Sequence, residues 1–155
     1  MTDYQNIFSL IGLILTGSGL VYAGIQLRAS KKIARGEFLL RLDEMFQQHN
    51  ETHTRLRPGG IWASAGKGPA TNEDWIAVEK YMGLFERIKV LMDDGIVDLA
   101  TIDRLYGYRV FNLVANDIIR TVKLEGKVRE YWQDFIELHR ALEKSRQKHP
   151  VKRRL

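Results

Sequence analysis

His49 and His53 stand four residues apart, a spacing at which one helix face presents two imidazoles to one metal ion. Their run is H-N-E-T-H. The zinc peptidase pattern is H-E-x-x-H, whose glutamate directly follows the first histidine and acts as general base. No third ligand lies close in sequence, although His139 is available from a later segment. The plainer alternative is a pair of histidines continuing an apolar stripe at the edge of a core.

A second constellation is ionic. Arg109, Asn112 and Asn116 are spaced 3 and 4 and share one helix face, while Glu86 interrupts an apolar stretch upstream. A charge in such surroundings needs a partner, so Glu86 and Arg109 are expected to pair within a partly buried polar network. The network either fixes the register of the helices or holds a ligand.

Other motifs fail on chemistry. With Gly95 at the sixth position of a calcium loop, the first, third and twelfth positions fall on Val90, Met92 and Thr101, which offer no carboxylate. Gly66-Lys67-Gly68 lacks the G-x-x-x-x-G-K-[ST] spacing of a phosphate loop. The sequence has no cysteine, which excludes disulfides, thiolate zinc sites and a cysteine nucleophile. No catalytic residue is assigned, and no cofactor or metal is expected.

The elements that must position these residues read as helices. Three prolines in 155 residues favour helix. Residues 28–56 carry an apolar stripe through Phe38, Leu42, Met45, His49 and Leu56. Residues 57–70, RPGGIWASAGKGPA, break it, with Ile61 and Trp62 expected to pin this loop to the body. Thr71 and Asp74 approximate a capping box at the start of the next helix, whose wide apolar face includes Trp75, Val78, Met82, Phe85 and Ile88. Asp93-Asp94-Gly95 ends it, with Gly95 as a left-handed cap. Asp98 caps a further helix from Leu99, Glu125-Gly126 weakens the pattern, and a last helix covers about residues 127–148.

The first 27 residues are different. No residue from 4 to 27 is charged, and the run IFSLIGLILTGSGLVYAGIQL (7–27) would be about 31 Å long as a helix. That matches the ~30 Å apolar core of a bilayer. A signal peptide would carry a basic n-region, whereas this one holds only Asp3. A buried core helix would be shorter, and an interfacial helix would have a polar face. The expected architecture is therefore all-α: one N-terminal transmembrane helix (7–27), a basic juxtamembrane helix (28–56), a loop (57–73), a helical bundle (74–148) and a basic tail (149–155).

Charge supplies orientation. Residues 28–41 carry +4, the body from 42 to 143 carries −4, and the last twelve residues carry +6. Arg28, Lys31, Lys32 and Arg35 follow the apolar run and no lysine or arginine precedes it. The positive-inside rule places the bundle in the cytoplasm, the six N-terminal residues outside, and the four basic side chains against anionic headgroups. Gly12, Thr16, Gly19, Ala23 and Gln26, spaced 4, 3, 4 and 3, form a small or polar stripe suited to packing against a second membrane helix, as in a homo-oligomer; the plainer alternative is that glycine is common in membrane helices. The tail KSRQKHPVKRRL lacks the interleaved aromatics that stack bases, so the lipid surface rather than nucleic acid is the expected polyanion.

ARGEFLLRLDEMF (34–46), RLRPGG (55–60), YMGLFERIKVLMDDGIVD (81–98) and RLYGYRVFNLVAN (104–116) together resemble uncharacterised bacterial membrane-anchored helical proteins, a domain family of unknown function. The resemblance implies a bacterial source and a single helical domain, and it transfers no site residue; with the apolar run and its basic collar, the expected location is a bacterial inner membrane. Three functions follow as expectations. The first is a non-catalytic interaction or scaffold module with an unidentified protein partner. The second is a tethered enzyme or nucleotide- or metal-binding module with its site near His49, His53 and the 57–70 loop. The third is an accessory subunit of a channel or transport system.

Overall fold

The structure, a computed structural model, describes the backbone of residues 2–148 and the side chains of residues 18–148. Among these residues the chain is helix, turn and loop, with no strand. It divides into two units, Met1–Leu40 and Arg41–Leu155.

Helix α1 (Thr2–Gln48) forms the first unit and enters the second. In the first unit Leu20, Val21, Tyr22, Ile25 and Leu27 are all exposed. The Gln26 amide donates to the Tyr22 hydroxyl at 2.7 Å, one turn back along the helix. Among the described residues no helix is long and apolar enough to cross a membrane. The side chains of residues 7–17, including Gly12 and Thr16, lie outside the described residues, as does the tail 149–155.

The second unit is a small bundle. The stripe expected through residues 28–56 is interrupted at His49, and a separate short helix α2 (Asn50–Leu56) follows. Leu42, Phe46 and Leu56 nevertheless remain on the buried side. Thr71 and Asp74 form the complete capping box at the start of α3 (Asn72–Asp93). Asp74 closes it by accepting from the backbone amides of Ala70 and Thr71, and these bonds lower its carboxyl first, with Arg55 adding to them. Gly95 takes the left-handed conformation (φ 69°) that ends α3, and the Asp98 carboxylate caps α4 (Leu99–Ile102) by accepting from the Thr101 amide at 2.7 Å.

The single helix expected from Leu99 is not continuous. A π-helical turn (Asp103–Gly107) leads into α5 (Tyr108–Ala115), and after a break at Asn116 come α6 (Asp117–Ile119) and a second π-helical turn (Arg120–Glu125). The last helix begins later than expected. Arg129–Trp132 form a 3-10 turn, and α7 runs Gln133–Lys148.

Helices α3 and α7 pack most extensively, burying Val78, Tyr81, Met82, Phe85 and Ile88 with Phe135, Leu138 and Leu142. Phe46 is the hub of an aromatic cluster: it stacks on Tyr106 at 4.6 Å and meets Phe85 at 5.1 Å and Tyr81 edge-on at 5.9 Å. Such ring pairs contribute about 0.5–1.5 kcal/mol each beyond area burial.

Candidate functional site

The residues singled out by spacing fall into three separate places. The first surrounds Arg109. Its Nε donates to the Tyr108 hydroxyl at 3.0 Å and its Nη1 to the Tyr81 hydroxyl at 3.4 Å, and the guanidinium lies 4.9 Å from the Phe46 ring centre. Among the described residues no carboxylate pairs with it. The expected Glu86–Arg109 pair is therefore replaced: a π face and two phenol oxygens take the role given to the carboxylate. Burial pushes the Tyr81 hydroxyl up to about 12, Arg109 pulling the other way, so it stays neutral and can accept.

His49 and His53 border this group. His49 lies against the Tyr81 ring (6.2 Å), and His53 meets the Tyr108 ring edge-on at 5.6 Å. Burial lowers both imidazoles first; Lys80 then lowers His49, and Arg109 and Arg57 lower His53. Both are thus held toward the neutral form. The Nδ1 of His53 is buried with no hydrogen-bond partner. Among the described residues no carboxylate orients either ring and no nucleophile is bonded to them, so these residues do not assemble the base–orienter–nucleophile chain of acyl-transfer sites. Among the described residues no three His, Cys, Asp or Glu side chains converge as a metal site.

The second place is Glu86. Its carboxylate accepts from the Phe135 backbone amide at 2.8 Å, in the first turn of α7, where amides lack intrahelical partners. Burial raises this carboxyl, and the amide bond opposes the rise. Glu86 thus caps the helix its own helix packs against.

The third place lies under the 57–70 loop. Both amide hydrogens of Asn116 are used, donating to the carbonyls of Trp62 and Lys67 at 2.8 Å each, while its Oδ1 accepts from the Ile119 amide at 2.9 Å. One buried side chain therefore caps α6 and holds the loop. Trp62 pins the loop as expected, buried beneath the Arg55 guanidinium at 5.0 Å, but Ile61 is exposed. A pocket of about 240 Å³ opens beside Asn116, between Trp62, Leu56 and Asn112, and neither His49 nor His53 lines it. The Asn112 Nδ2 is buried and unpartnered.

A further pocket of about 240 Å³ carries Arg120, Arg129, Arg140 and His139. No sequence spacing marks it, because its residues come from a π-helical turn, a 3-10 turn and α7. On α1, Arg28, Lys31 and Lys32 are exposed and Arg35 is half-buried; their spacing puts all four on one helix face. Of the small-residue stripe, Gly19, Ala23 and Gln26 are exposed, and a Cβ added at Gly19 would meet nothing within 4 Å.

No family model, curated protein or solved structure matches this chain.

Proposed function

We propose that the chain is a single-pass membrane protein whose helical bundle is a cytoplasmic interaction or scaffold module. Residues 7–27 form the span, the N-terminal side lies outside a bacterial inner membrane, and the span self-associates through Gly12, Thr16, Gly19, Ala23 and Gln26. One observation carries the reading. On α1 the side chains of Leu20, Val21, Tyr22, Ile25 and Leu27 are 60–71% exposed, and at ~100° per residue they spread over roughly 220° of the helix, the remaining arc holding Gly19, Ala23 and Gln26. An exposed apolar surface that broad on one helix calls for an apolar solvent or a partner.

The charge pattern supports lipid. Twenty-four residues, from 4 to 27, carry no charge, and the basic face of Arg28, Lys31, Lys32 and Arg35 follows directly. Near an anionic leaflet each of these side chains is worth about 1 kcal/mol. The Gln26–Tyr22 hydrogen bond shields two polar groups at the end of the run, in keeping with a position near the headgroups. Arg109 rests on aromatic rings, and among the described residues no nucleophile is bonded to His49 or His53, which favours binding over catalysis.

Alkaline carbonate extraction of membranes containing the full chain tests the proposal. The chain should stay in the pellet with integral proteins. Release into the supernatant would reduce it to a peripheral protein and remove the proposed span.

A further inference from the structure

The pocket between α7 and the two turns before it reverses the charge of the body that holds it. Residues 42–143 carry −4, yet three arginines and His139 line this pocket against a single acid, Glu125. Its floor is apolar, formed by Val114, Leu124 and Ile136. His139 stands at this floor, half-buried and edge-on to Phe111 at 5.3 Å.

The arginines differ in how they are held. Arg120 is fixed, donating to the Val114 carbonyl at 3.2 Å and pairing with Asp117 at 2.5 Å and Glu125 at 3.3 Å. Arg129 and Arg140 are exposed, and among the described residues neither has a carboxylate within 4 Å. A rigid, already neutralised arginine thus shapes the wall, and two uncompensated ones face the opening. A guanidinium is suited to bidentate binding of carboxylate or phosphate.

We propose that this pocket binds a small organic anion, with a carboxylate or phosphate head taken by Arg129 and Arg140 and a short apolar body resting on Val114, Leu124 and Ile136. The volume of about 240 Å³ is below the ~300–1,000 Å³ of sites for drug-sized ligands, so the ligand is small. Inorganic phosphate alone leaves the apolar floor uncovered, and a neutral body alone leaves the two charges unmatched. The proposal does not depend on the membrane reading of α1.

The test uses the full chain in detergent, with the His139 ring followed by NMR. Phenyl phosphate and benzoate are the anionic probes and benzyl alcohol the neutral one. At least one anion should shift the His139 resonances saturably, and benzyl alcohol should not. The Arg129→Gln/Arg140→Gln double variant should weaken that binding tenfold or more, with helical circular dichroism unchanged. An Arg87→Gln control, outside the pocket, should bind as the parent does. Absence of a saturable shift with both anions at millimolar concentration would overturn the proposal. So would equal affinity in the double variant, or equal binding of benzyl alcohol.

Discussion

The side-chain amide of Asn116 donates to the backbone carbonyl of Trp62 at 2.8 Å, joining positions 54 residues apart. The same amide holds Lys67, and its carbonyl caps α6. Replacing it by alanine removes three hydrogen bonds and leaves buried carbonyls without donors. At ~1–3 kcal/mol for each unsatisfied group, partly offset by hydration, Asn116→Ala should cost about 2–4 kcal/mol. Asn116→Asp keeps the cap acceptor but sets a buried carboxylate oxygen against the Trp62 and Lys67 carbonyls, and should cost at least as much as alanine. Urea denaturation followed by circular dichroism measures this. A loss under about 1 kcal/mol for alanine would mean that the loop is held elsewhere.

Arg109 and Glu86 are independent. Arg109 is held by Tyr81, Tyr108 and Phe46, and Glu86 by the Phe135 amide. A double-mutant cycle on Glu86→Gln and Arg109→Met should give coupling within ~0.5 kcal/mol, as expected of sites with no shared partner. The cycle on Arg109→Met and Tyr81→Phe should give about 0.5–1.5 kcal/mol, the range of one hydrogen bond. The reverse order of couplings would restore the ion pair that spacing suggests.

Acid should weaken the bundle in a defined window. His49, His53 and His139 all lie below the ordinary imidazole value of 6.5 in the folded chain, burial being the first cause in each. As pH falls below about 6.5 the unfolded chain takes up protons first, so stability is full above that pH and declines as pH drops through the folded values. Glu86 has the opposite sign: its raised carboxyl contributes most below 4.5, and that contribution fades as pH rises through its folded value. Denaturation midpoints at pH 7.5 and 5.5 should therefore differ, and less so in His53→Gln. NMR titration should also find the His53 pKa higher in Arg109→Met, since Arg109 is the second cause of its lowering. An unchanged value would place the guanidinium away from the ring.

The local signals in the sequence were legible because short-range chemistry decides them. Thr71 with Asp74, Gly95 and Asp98 each act on amides or torsions within a few residues, and each sits where expected. The breaks at His49 and Asn116 were not legible. No proline or glycine marks either, and Asn116 breaks its helix while bonding carbonyls 49 and 54 residues away. Arg109 could be placed on a helix face by spacing, but two of its aromatic partners, Phe46 and Tyr81, come from α1 and α3 and depend on how the helices cross. The arginine pocket was hidden for the same reason.

Gly107 shows how tightly one of the π-helical turns is packed. Arg146 binds Asp103 at 2.9 Å through Nε and 2.6 Å through Nη2, and lies 4.2 Å from the Phe111 ring centre. A Cβ at Gly107 would overlap Asp103 Oδ1 and stand 2.9 Å from Arg146 Nη2. Gly107→Ala should destabilise the bundle by ~1–3 kcal/mol, the usual cost of overpacking. Neutral behaviour in thermal denaturation would show that the ion pair yields easily.

The proposed span and its proposed direction are tested most directly at Asp3. The sequence has no cysteine, so Asp3→Cys introduces a unique thiol. In intact cells a membrane-impermeant thiol reagent should label it from outside, while a cysteine at exposed Ala100 in the bundle should react only after the membrane is opened. Protection of Asp3→Cys until lysis, with or without reaction at position 100, would contradict a span with its N-terminal side outside.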